Sequence, residues 1–97
     1  LDDEFLKTVQ ETGEYFRAQL RAIGERQPGK IREVRGMGLM IGCELTGSAK
    51  EVNAELFKNG VLVNTIGEHV LRFVPPLTIT KEQIDDFIVI LENALTK

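Results

Sequence analysis

Ile31-Arg32-Glu33-Val34-Arg35-Gly36-Met37-Gly38-Leu39-Met40-Ile41-Gly42-Cys43-Glu44-Leu45 is the stretch in which the hydrophobic period changes from that of a helix to that of a strand. Leu39, Ile41, Cys43 and Leu45 alternate with Met40, Gly42 and Glu44, which gives a strand with one apolar face. Residues 31–35 read as a shorter, more polar strand. Gly36-Met37-Gly38 between the two predicts a tight hairpin.

Upstream of the hairpin, Phe5, Val9, Phe16, Leu20 and Ile23 fall on one helical stripe, which predicts a helix over 3–26. Asp2, Asp3 and Glu4 crowd its first turn, where the helix dipole favours negative charge. Gly13 inside this helix costs about 1 kcal/mol relative to alanine and marks a close approach by another element. Gln27-Pro28-Gly29 ends the helix.

Downstream, Ser48 and Glu51 form a capping box for a second helix carrying Ala49, Val52 and Leu56 on its apolar stripe, with Gly60 as its left-handed end. Residues 61–63 and 70–74 then read as short strands joined by a loop over 64–68. Pro75-Pro76 stops the last strand, because neither proline can donate to a ladder. Thr80 and Gln83 form a second capping box before a helix with Ile84, Phe87, Ile88, Leu91 and Leu95 inward. The order α-β-β-α-β-β-α predicts an α+β fold: a two-layer sandwich in which helices cover a mostly antiparallel sheet of three to four short strands.

Ninety-seven residues, 42% of them apolar and 28% charged, describe one globular domain with one thin core. Twelve basic against fifteen acidic residues give a net charge of −3, which argues against a nucleic-acid surface. One cysteine makes no internal disulfide, and one histidine builds no His/Cys metal site. With no apolar run near the roughly 20 residues a bilayer span requires, the composition leads us to expect a cytoplasmic domain without membrane contact.

Most candidate chemistry reads as structure. Gly36, Gly38 and Gly42 are spaced G-x-G-x-x-x-G and are followed by a strand, which fits a hairpin better than a dinucleotide loop. Cys43 lies on the apolar strand face as a small hydrophobe, and nothing brings His69 to it as a base. Glu11, Glu14, Asp85, Asp86 and Glu92 occupy polar helix faces. Lys50, Lys58, Lys81 and Lys97 sit at helix ends or exposed faces, unlike the buried amine that Schiff-base chemistry needs.

Arg72 differs from all of these. It interrupts Val70-Leu71-Arg72-Phe73-Val74-Pro75-Pro76-Leu77 and shares a face with Val70 and Val74. One reading is a snorkelling arginine on a solvent face. The other is a guanidinium at an apolar rim, whose planar fork takes a carboxylate with two hydrogen bonds. The residues alone fit either reading, and they also fit a free-standing amino-acid-binding regulatory module or a structural interaction domain.

The run 34–45, Val-Arg-Gly-Met-Gly-Leu-Met-Ile-Gly-Cys-Glu-Leu, resembles a hairpin signature of the class III pyridoxal-phosphate aminotransferases. Residues 60–65 and 70–77 resemble the C-terminal signature of the same family, and 80–85 the start of its last helix. The resemblance implies that residues 1–97 are a single domain, the C-terminal small domain of a longer homodimeric enzyme that continues upstream of Leu1. The lysine that holds pyridoxal phosphate, the aspartate at its pyridinium nitrogen and its phosphate-binding residues would belong to the large domain. No catalytic residue or cofactor ligand is then expected in this chain, and the chain alone is expected to be inactive. Arg72 matches the family arginine before the double proline. The resemblance implies that it pairs with a large-domain glutamate at rest and binds the α-carboxylate of glutamate or 2-oxoglutarate.

Overall fold

Residues 2–61 and 63–96 are described by a computed structural model, in the order α1 (Asp3–Arg26), β1 (Ile31–Met37), β2 (Met40–Leu45), α2 (Ala49–Lys58), β3 (Asn64–Ile66), β4 (Val70–Phe73) and α3 (Lys81–Thr96). The strands form one sheet in the order β1-β2-β4-β3, with every neighbouring pair antiparallel. Helix α1 lies along β1 and β2, α2 lies against β3 and β4, and α3 packs on both other helices. The expected two-layer α+β sandwich is therefore what forms.

Its core follows from alternation. Ile41, Cys43 and Leu45 of β2 and Leu71 and Phe73 of β4 turn inward and meet Phe16, Leu20, Ile23, Leu56, Ile84 and Leu91 of the helices. Phe16, Phe73 and Phe87 form a three-ring cluster, with centroids 5.1–5.8 Å apart and a T-shaped contact between Phe73 and Phe87. β1 obeys the same inward logic only because it is bulged. Ile31 and Val34 are three residues apart and would face opposite ways in a regular strand. Ile31 pairs with Leu45 but Glu33 with Glu44, so the extra residue lets both apolar side chains pack against the core.

Helix ends behave as the sequence predicts, with one difference. Thr80 and Gln83 make both arms of their capping box, at 3.0 and 3.1 Å. At Ser48 the hydroxyl accepts from the Glu51 amide at 3.2 Å, the one arm of that box present among the described contacts. Asp2 caps α1 by accepting from the Phe5 amide at 2.7 Å. Gly60, at φ 80°, ends α2 in a Schellman motif: its amide donates to Phe57 and the Val61 amide to Leu56.

That motif corrects the third strand. The strand expected over 61–63 begins instead at Asn64, and Asn64, Thr65 and Ile66 pair with Arg72, Leu71 and Val70. The Val61 amide is engaged by the helix it follows, and Leu62 lies outside the described residues. The loop shrinks to Gly67-Glu68-His69, turned by Gly67 at φ 62°. In the first hairpin, Gly36 and Met37 belong to β1, and the turn is Gly38-Leu39. No helix among the described residues is long and apolar enough to cross a membrane.

Candidate functional site

Arg72 stands in the middle of β4, between two side chains committed to the core. Leu71 and Phe73 are buried on one face, which turns Arg72 out on the other. It lines a cleft of about 600 Å³ with Asn64, Val63, Pro75, Pro76 and the rim of the aromatic cluster. The cleft is thus a mainly apolar hollow with one cation at its edge. Among the described residues Arg72 makes no hydrogen bond or ion pair within the chain, so its guanidinium is open to an outside acceptor. Val74 beyond it and Ile66 on the neighbouring strand are 69% and 49% exposed, and Leu77 is 59% exposed. Val74 and Ile66 thus leave apolar surface in water on either side of the Arg72 guanidinium.

Register sets what surrounds Arg72. Gly42 of β2 lies opposite it on one side and Asn64 of β3 on the other. Arg35 of β1 lies opposite Gly42 in turn, so the outer face carries the row Arg35, Gly42, Arg72, Asn64. A Cβ on Gly42 would sit 3.5 Å from Cγ of Arg35 and 3.9 Å from its Nε, so the Arg35 side chain lies across the glycine. Its Nη1 donates to Glu44 at 3.2 Å and lies 3.5 Å from Glu33. Arg32 donates to the other Glu44 oxygen at 2.9 Å. The two guanidinium hydrogen bonds hold the Glu44 carboxyl below its ordinary pKa. This network is invisible to periodicity, since it depends on the bulge and on strand order.

The other candidates fall where the sequence places them. Cys43 is fully buried, and desolvation pushes its thiol up to about 12, which makes it a packing residue and not a nucleophile. The ring of His69 is engaged elsewhere, with Nδ1 2.8 Å from the Gly47 carbonyl and Nε2 3.7 Å from Glu68. Asp85 accepts from the Tyr15 hydroxyl at 2.5 Å, and Glu92 takes Arg26 with two hydrogen bonds at 2.7 and 2.8 Å. Glu11, Glu14 and Asp86 are exposed. Every described lysine is exposed too, with Lys58 3.8 Å from Glu55 and Lys81 over the Tyr15 ring, while Lys97 lies outside the described residues. None of the described lysines lines the cleft of Arg72, so the described residues do not fit pyridoxal phosphate as a covalently held group there.

Gly13 and Arg17 anchor the hairpin that carries the row. The Arg17 side chain, buried in α1, donates to the Gly38 carbonyl at 2.7 Å, and Gly13 packs on the same carbonyl. Arg17 escaped the sequence reading because its partner is a backbone oxygen, which leaves no mark on the pattern.

The family profile for aminotransferase class III matches residues 1–95. The chain belongs to the class III aminotransferases. It is 40% identical over 96 residues to an acetylornithine aminotransferase of Caldanaerobacter subterraneus, a match covering 98% of this chain and 24% of that protein. An ornithine aminotransferase of Staphylococcus carnosus is 42% identical over 85 residues, covering 88% of this chain and 21% of that one. A lysine aminotransferase structure from M. tuberculosis superposes with a TM-score of 0.89 at 30% identity, over 97% of this chain and 22% of its own. The chain spans about a quarter of the length of the curated relatives it matches.

Proposed function

We propose that residues 1–97 act as the C-terminal small domain of a longer, homodimeric pyridoxal-phosphate-dependent aminotransferase. It would move the δ-amino group of N-acetylornithine to 2-oxoglutarate, a step of arginine biosynthesis. The cofactor supplies the electron sink for this transfer and would be held by residues outside the chain. The part of this chain is recognition. One observation carries the reading: Arg72 presents a guanidinium, free of intrachain partners among the described residues, at the edge of an apolar cleft. A planar fork of this kind takes a carboxylate through two charge-assisted hydrogen bonds, and an apolar surround strengthens both. In the resting enzyme a glutamate of the large domain would occupy the fork. The α-carboxylate of 2-oxoglutarate or glutamate would displace it.

Acetylornithine as donor is favoured over ornithine or succinylornithine by the relative from Caldanaerobacter. Similar small domains also occur in enzymes named for ornithine and lysine, which fits a domain that handles the shared acceptor and leaves donor choice to the remainder. Cytoplasmic residence, expected from the composition, belongs to the same proposal.

The test is steady-state kinetics of the full-length enzyme carrying Arg72→Ala. Loss of two hydrogen bonds to a charged group raises the KM for 2-oxoglutarate on the order of 10²-fold. The KM for N-acetylornithine stays within about twofold on the same scale. An unchanged KM for 2-oxoglutarate would leave Arg72 a surface residue and the domain a purely structural one.

A further inference from the structure

We propose that Arg32 and Arg35 are positioning residues for Arg72: by occupying both oxygens of Glu44, they keep that carboxylate from capturing the guanidinium meant for substrate. The proposal rests on the reading of Arg72 as the acceptor anchor and adds to it a device inside the sheet. Glu44 stands opposite Val70, two residues from the Gly42–Arg72 pair, on the same outer face. Diagonal neighbours of this kind lie about 7–8 Å apart at Cα, within reach of long side chains. Gly42, opposite Arg72 on β2, has no side chain of its own, and the Arg35 side chain lies over it. Glu44 is therefore within side-chain reach of Arg72, where it would compete for the fork with both the large-domain glutamate and the substrate carboxylate.

The observed geometry prevents this. Arg32 holds Oε2 at 2.9 Å and Arg35 holds Oε1 at 3.2 Å, both from the β1 side. Arg35 reaches Glu44 by lying across Gly42, whose missing side chain leaves that path open. The β1 bulge between Ile31 and Glu33 brings Arg32 and Arg35, three residues apart, to the same carboxylate. Glu33, 3.5 Å from Arg35, steadies the same guanidinium. Two cations thus hold one anion on the β1 side, with Arg35 lying over Gly42 beside the third cation.

The experiment uses the full-length enzyme with Arg35→Ala, Arg35→Lys, Glu44→Gln, Arg35→Ala/Glu44→Gln and Arg72→Ala. Freed from Arg35, Glu44 competes for Arg72, and R35A raises the KM for 2-oxoglutarate about two- to fivefold, the range of an exposed ion pair. Its kcat at saturating acceptor is unchanged. R35K retains the wild-type KM, E44Q alone has no effect on it, and R35A/E44Q returns it to the wild-type value because the competitor is gone. A merely structural role for Arg35 gives a double variant no better than R35A, and that result overturns the proposal. So does an R35A enzyme with unchanged KM while R72A raises it. If R72A itself leaves the KM unmoved, the reading of Arg72 fails and the proposal fails with it.

Discussion

Gly13 of α1 packs so closely on the Gly38 carbonyl that an added Cβ would lie 1.8 Å from the oxygen. No real contact is that short, so helix and hairpin are locked at a position where α1 lacks a side chain. The helix-interior glycine is thereby explained: its intrinsic cost is offset by a contact no other residue permits.

Gly13→Ala should therefore destabilise the protein although alanine is the better helix former. The propensity gain is about 1 kcal/mol, whereas forced displacement of a packed backbone costs about 1–3 kcal/mol and also disturbs the Arg17 hydrogen bond. Thermal unfolding of the variant should show a lower midpoint. A raised midpoint would mean that helix and hairpin can separate freely.

Cys43 should be chemically silent in the native protein. Its side chain is fully buried and its thiol is pushed up to about 12, so thiolate is scarce at pH 8 and reagent has no access. Iodoacetamide labelling followed by mass spectrometry should leave the Cys43 peptide unmodified until denaturant is added. Rapid native labelling would contradict the packing of β2.

Much of this architecture is legible in the sequence because it depends on local patterns. Helix α1 spans the predicted residues, since its stripe is long and Pro28-Gly29 ends it. Leu71 and Phe73 face in and Arg72 out, as alternation requires. β3 is different. Three residues carry no measurable period, while Val61 and Val63 look more strand-like than Asn64, Thr65 and Ile66, which make the ladder. Arg72 could be singled out because it breaks an apolar run. Its neighbours Arg35 and Gly42 could not, because strand order and a bulge place them beside it.

Acid should weaken the protein partly through Glu92. Its carboxyl is held below the ordinary value of 4.5, chiefly by the hydrogen bonds from Arg26. Between the folded and unfolded values the unfolded chain binds more protons, so this contribution is full above about pH 4.5 and is lost as pH falls through the folded value. Glu92→Gln should flatten the stability curve in that acidic window, as read from urea unfolding at a series of pH values. Parallel curves for the two proteins would show that the α1–α3 bridge contributes nothing.

The function proposed for this domain turns on Arg72 anchoring the carboxylate of the amino acceptor. Single-turnover kinetics of the full-length Arg72→Lys enzyme test it most directly, because the two half-reactions are followed separately. Lysine keeps the charge but loses the planar fork. The dissociation constant for 2-oxoglutarate in the acceptor half-reaction should rise about tenfold or more, while that for N-acetylornithine in the donor half-reaction should be unchanged. Equal effects on both half-reactions, or none on the acceptor, would contradict it.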